Sequence, residues 1–140
     1  MKSRVGVGVV LMATAAMCFA AADGSWLKKV PPAERARVNP YAGQSEAVAA
    51  GENLFRNNCA KCHGADAGGK GSRPSLKSQR LAGATDGEIA WMIKNGQTFK
   101  GMPSWGALPE PMRWQLVTYL RSINPPVNRT GSASANGGQN

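Results

Sequence analysis

Cys59-Ala60-Lys61-Cys62-His63 is the stretch on which the fold of this 140-residue chain turns. At this spacing two thiols can reach the vinyl groups of one porphyrin, while the imidazole that follows turns beneath the ring toward iron. It is the attachment sequence of a c-type haem. Two other uses of a Cys-x-x-Cys pair fit less well. A structural zinc site takes about four Cys or His ligands, and the chain holds only Cys18, Cys59, Cys62 and His63, the first of them in a segment read below as removed. A thioredoxin-like dithiol needs a βαβ context, whereas the flanks of Cys59 read as a helix and then a Gly-rich loop. The expected cofactor is therefore one covalent haem c, bound through Cys59 and Cys62, with His63 as an axial ligand of its iron.

The start of the chain agrees with that chemistry, because haem c is attached on the outer side of an energised membrane. Lys2 and Arg4 precede an uncharged run over residues 5–22 that ends in Ala20-Ala21-Ala22, the pattern of a secretory signal peptide. The run is long enough to be weighed as a membrane span, which leaves an uncleaved anchor as the alternative. It is rich in Gly, Ala and Thr, however, and no basic stop-transfer cluster follows it directly. The expected location is the periplasm.

Removing residues 1–22 takes away Lys2 and Arg4 and leaves 15 basic against 8 acidic residues, a formal charge of +7 on a chain long enough for one domain. Such a charge raises nucleic acid as a partner, but export and the absence of an arginine-rich run argue against it. Redox proteins with acidic docking surfaces fit better, with peripheral attachment to an anionic membrane as a further option.

Residues 23–44 carry Pro31-Pro32 and Asn39-Pro40 and read as an irregular arm. Ser45 is a candidate cap for a helix running to about Asn58, which delivers the haem motif. Thr85 and Glu88 form a capping box for a helix over residues 86–95 closed by Gly96. A last helix begins near Pro109 and ends before Asn124-Pro125-Pro126, with Met112, Leu116, Tyr119, Leu120 and Ile123 at its apolar period. Residues 124–140 form a tail, polar and rich in Gly, Ser and Asn beyond Val127, for which disorder is expected. Gly64 to Lys70 imitates the start of a phosphate-binding loop, but Gly71 stands where Ser or Thr would hold magnesium, and no strand precedes it.

A second axial ligand is sought among the methionines. Met92 and Met112 sit at helical spacing and read as core. Met102 differs, because it lies between Gly101 and Pro103 in a loop, where Gly permits close backbone approach and Pro stiffens it. It is the candidate ligand opposite His63; the other use of such a residue is to plug an apolar gap.

Taken together, Gly51, Phe55, Cys59-Ala60-Lys61-Cys62-His63-Gly64, Pro74-Ser75-Leu76, Gly101-Met102-Pro103 and Leu116-Val117-Thr118-Tyr119-Leu120 resemble the bacterial class I c-type cytochromes over about residues 45–123. The resemblance implies an all-α fold of three to four helices wrapped around one haem, with the first and last helices crossing where Gly51 and Phe55 meet Tyr119. It further implies that the Pro74 carbonyl accepts the Nδ1 hydrogen of His63 and that Leu76 packs on the haem. Trp91, Phe99 and Trp105 are candidates for the haem wall or a propionate contact, an ordinary core role being the alternative. The arm and residues 77–84 match nothing in the family pattern.

With His63 and Met102 both on iron no open position is left for a substrate, and Met/His ligation raises the reduction potential. The expectation is a periplasmic monohaem carrier of single electrons in a respiratory or dehydrogenase chain, not an enzyme. Lys61, Lys70, Lys94 and Lys100 lie near the haem segments and are placed either to steer acidic partners or simply to keep the chain soluble. The alternatives are a peroxidase-like enzyme or gas sensor with a displaceable Met ligand, and a fixed haem subunit of a larger dehydrogenase or oxidase.

Overall fold

The computed structural model describes residues 24–127; the run read as a signal peptide, with Cys18, and residues 128–140 of the tail lie outside the described residues. The helices follow in the order α1 (Pro32–Arg35), α2 (Ser45–Asn58), α3 (Ala60–His63), α4 (Gln79–Gly83), α5 (Asp86–Asn95) and α6 (Glu110–Ile123), with 3-10 turns at Ser25–Lys29 and Thr98–Lys100. No strand occurs among the described residues, so the all-α expectation holds. Three helices have ten residues or more, and α1, α3 and α4 are single turns.

The centre is the crossing of α2 and α6. Gly51 makes it possible: a Cβ there would lie 2.1 Å from the Gln115 carbonyl oxygen and 2.8 Å from Tyr119 Cβ, so only hydrogen fits between the two backbones. One turn on, Phe55 is buried against Tyr119 with ring centroids 5.3 Å apart and planes tilted by 44°. Leu116, Val117 and Leu120 complete the buried face of α6, and burying each such side chain stabilises by roughly 1.5–3 kcal/mol.

Ser45 begins α2 rather than capping it. Gln44 occupies the cap position without a side-chain cap bond, because its Nε2 donates back to the Pro40 carbonyl at 3.1 Å. The capping box of α5 forms as read: Thr85 Oγ1 accepts from Glu88 N at 3.1 Å, and Glu88 accepts from Thr85 N at 2.7 Å. Ile89, Met92 and Ile93 then face the core. Residues 77–84, silent in the sequence, contain α4, capped by Ser78 accepting from Leu81 N at 3.3 Å.

Met112, expected in the core, is instead exposed. The first turn of α6 buries its neighbours Arg113 and Trp114, the former donating to the Gly106 and Leu108 carbonyls. The arm, in turn, is packed into the domain: Trp26 and Val30 are buried, and buried Asn39 donates through Nδ2 to Thr118 Oγ1 at 3.0 Å. At the other end Asn124 Nδ2 lies 3.0 Å from the carbonyls of Leu76 and Ser78, and Val127 N donates to Ala82 O. No helix among the described residues is long and apolar enough to cross a membrane.

Candidate functional site

Beside the α2–α6 crossing, under α5, lies a cavity of about 320 Å³ walled by Phe55, Leu81, Ile89, Ile93, Leu116 and Leu120. Of the residues singled out in the sequence, Cys59, His63, Pro74, Leu76, Met102 and Trp105 line it. Cys62 lines a smaller recess of about 110 Å³, which shares Cys59, His63, Pro74, Met102 and Trp105 with the main cavity. Residues far apart in sequence thus converge on one space.

The thiols and the imidazole are set by how α2 ends. Cys59 N donates to the Phe55 carbonyl at 2.8 Å, and the Cys59 carbonyl accepts from Cys62 N at 3.1 Å and His63 N at 2.9 Å. This closes the single turn of α3, leaving Cys59 half-buried at the cavity wall and Cys62 exposed at the rim. Burial, with a smaller contribution from Cys62, pushes the Cys59 thiol up to about 11. In the chain without cofactor it is therefore a thiol at neutral pH.

His63 Nδ1 lies 3.0 Å from the Pro74 carbonyl oxygen. A carbonyl has no proton to give, so the hydrogen sits on Nδ1 and the lone pair on Nε2. The loop that presents Pro74 is itself held, by Gly69 N on His63 O at 2.8 Å and Leu76 N on the carbonyl of buried Ala67 at 2.8 Å. Within it the Gly68 amide, and then nearby Lys77, hold the Asp66 carboxyl below the usual carboxylate range.

Met102 is carried by a short reversal after α5. Gln97 N donates to Met102 O at 2.9 Å, Met102 N donates back to Gln97 O at 3.1 Å, and Trp105 N reaches Ile93 O at 3.1 Å. Met92, buried as expected of core, also lines the cavity, so two thioethers face it. The Met92 sulfur is already engaged, by Gln97 Nε2 at 3.5 Å.

Phe99 is not a wall. It is fully exposed on the 3-10 turn Thr98–Lys100, which bulges outward between the bridged residues Gln97 and Met102. Trp91 is half-buried and does not line the cavity. Lining residues that sequence reasoning missed include Trp26, Ser78, Arg80, Leu81 and Gln97. The signal for Trp26 was its presence as the one tryptophan in the Pro-interrupted stretch of residues 23–44. Lys61, Lys70 and Lys94 are exposed, and Lys100 lines the recess together with Arg73, whose Nη1 donates to Lys100 O at 3.0 Å. Among the described residues no carboxylate lines either space.

Among the described residues no group of three or more His, Cys, Asp or Glu is arranged to hold a bare metal ion. The donors on hand are one imidazole with its tautomer fixed, thioethers, and two thiols at the edge of an apolar chamber. That set suits iron carried in a macrocycle, and the residues present fit a covalently attached haem.

Residues 46–120, more than half of the chain, match the family described as cytochrome c oxidase, cbb3-type, subunit III. The chain is 40% identical over 96 residues to the cbb3-type cytochrome c oxidase subunit CcoP of Rubrivivax gelatinosus, covering 66% of this chain and 30% of that protein. It is 29% identical over 89 residues to cytochrome c550 of Pseudomonas aeruginosa, covering 61% of each. The crystal structure of cytochrome cL from Methylophaga aminisulfidivorans superimposes with a TM-score of 0.54 at 28% identity, covering 61% of this chain and 58% of that one. Cytochrome cL from Hyphomicrobium denitrificans, at 22% identity and a TM-score of 0.54, covers 71% of this chain and 67% of that one and shares the fold. The chain thus spans between 30% and 61% of the length of these two curated relatives.

Proposed function

The chain belongs to the c-type cytochrome family of the cbb3-type oxidase subunit III domain, and from that premise we propose that it is a monohaem single-electron carrier exported to the periplasm. Its cofactor is haem c, which supplies a one-electron Fe(III)/Fe(II) couple when bound. Cys59 and Cys62 would hold it through thioethers, and His63 Nε2 and the Met102 sulfur would be the donors to its iron, within a carrier domain of residues 45–123; export would remove residues 1–22. Leu76 and Trp105 pack against the macrocycle.

The observation that carries the reading is the hydrogen bond from His63 Nδ1 to the Pro74 carbonyl. It fixes the tautomer that leaves the Nε2 lone pair for iron, and it holds the ring's orientation. Met102 supports the sixth position because it lines the same cavity from a loop tied at both its amide and its carbonyl, whereas the sulfur of Met92 is occupied. A Met/His pair favours the ferrous state. With His63, the only histidine of the chain, engaged, no imidazole remains for general acid or base work. The recess around Cys62 and Met102 carries Arg73 and Lys100 with Lys61 exposed nearby, which suits an acidic redox partner and makes association salt-sensitive.

One specific observation favours a second reading, a fixed subunit of an oxidase: the 40% identity lies with a protein named as such a subunit. The test uses protein isolated from its native host. A free carrier emerges in the periplasmic fraction as a monomer, low-spin when ferric, slow to bind cyanide, and exchanging electrons with acidic partners at a rate that falls with salt. Recovery only in a membrane complex selects the subunit reading. A high-spin ferric protein that turns over peroxide rejects both.

A further inference from the structure

The family match begins at residue 46, yet one wall of the cavity comes from well before it. Trp26 is buried and lines the space, while Lys28 and Lys29 of the same turn face solvent. We propose that residues 24–30 are part of the haem-binding site, with Trp26 packing against the macrocycle as a wall and the arm acting as a strap that keeps water from it. This rests on the reading that the cavity holds haem.

The strap is built to stay closed. Its backbone lies so close to the first turn of α5 that a Cβ on Gly87 would be 2.0 Å from the Glu34 carbonyl oxygen and 3.1 Å from those of Arg35 and Arg37. Side chains then fasten it. Thr85 Oγ1 donates to Arg35 O at 2.9 Å, Arg35 Nε pairs with Glu88 at 3.0 Å, and Arg35 Nη2 donates to Leu27 O at 2.9 Å. Arg37 pairs with Glu110 and lies over the Trp114 ring at 5.2 Å. Two contacts reach the site itself: the Arg80 side chain packs on Gly24, and Lys100 Nζ donates to Ser25 Oγ at 3.4 Å, linking the arm to the turn that leads into Met102. A surface tail with no role would bury neither an indole in an apolar chamber nor Asn39 against Thr118.

Removing the buried indole from the wall should make the open, water-admitting form about tenfold more populated in Trp26→Ala, tenfold being about 1.4 kcal/mol in an equilibrium. The experiment compares haem-loaded wild type, Trp26→Phe, Trp26→Ala and Gly87→Ala, the last lifting the strap without touching the cavity. Expected are cyanide binding to the ferric protein about tenfold faster in Trp26→Ala and in Gly87→Ala, a lower reduction potential in both, and near wild-type values in Trp26→Phe.

A measurement that needs no destabilised variant accompanies these. The Trp26 indole N–H resonance, identified by its loss in Trp26→Phe, should move between the ferrous and ferric states, while that of Trp114, which does not line the cavity, should move little. An indole signal for Trp26 that ignores the oxidation state, or cyanide rates and potentials in Trp26→Ala equal to wild type, overturns the proposal while leaving haem binding intact. Wild-type protein that carries no covalent haem instead overturns the cofactor reading beneath it.

Discussion

Gly51→Ala sets helix propensity against packing, and the two predict opposite signs. The new methyl carbon would lie 2.1 Å from the Gln115 carbonyl oxygen, 2.7 Å from its carbon and 2.8 Å from Tyr119 Cβ, where ordinary contact begins at 3.4 Å. The nearest obstacles are backbone, so no rotamer change relieves them, and α2 and α6 must part by about 1.3 Å, the difference between 3.4 and 2.1. Overpacking of this kind costs about 1–3 kcal/mol or more. Parting the helices also disturbs the Phe55–Tyr119 pair, a contact type worth about 0.5–1.5 kcal/mol beyond its buried area. Ala in mid-helix returns about 1 kcal/mol over Gly. The net loss is about 2 kcal/mol, a fall in Tm of about 10 °C for a domain of this size. Thermal and urea unfolding of the haem-loaded protein, followed by far-UV circular dichroism, measures it. A variant as stable as wild type or more so, which propensity alone would give, refutes the crossing geometry.

Asn39→Ala leaves buried Thr118 short of a partner and frees the Tyr41 amide, so urea unfolding should show a loss of about 1–3 kcal/mol; a loss under about 0.5 kcal/mol would mean the arm is not anchored there. Met112→Ala, at an exposed position, should stay within about 0.5 kcal/mol of wild type, and a larger loss in the same assay would place Met112 in the core after all. The Arg37 guanidinium, and then the Trp114 N–H, hold the Glu110 carboxyl below its ordinary range. Its folded value thus lies under the unfolded one, so the pair's stability is complete above the unfolded value and drains away as pH falls through the folded one. Both side chains are partly exposed, so the effect is below about 1 kcal/mol and shrinks in salt; an acid limb of the stability profile unchanged in Arg37→Ala would contradict it.

The helices and the attachment motif were legible because they are local. Thr85 and Glu88 are three residues apart and close their box without help from the rest of the chain, and Gly51 marks itself as a close approach within α2. What the sequence hid is tertiary. Trp26 has no periodic partners, since its wall position depends on an arm laid across α5 through Gly87, some sixty residues away. Phe99 looked like wall by composition, yet the reversal between Gln97 and Met102 turns it to solvent. Met92 and Met102 both reach the cavity, one from a helix face and one from a loop, and periodicity separates helix from loop without saying which sulfur is free.

That distinction is the most direct test of the proposed carrier site. In the ferrous protein with 13C-methyl methionine, a thioether bound to iron sits over the macrocycle, so ring current should shift its methyl far upfield. The account predicts one such signal, lost in Met102→Ala and kept in Met92→Ala. A shifted methyl that disappears with Met92 and survives loss of Met102, or no shifted methyl in the wild-type protein, contradicts it.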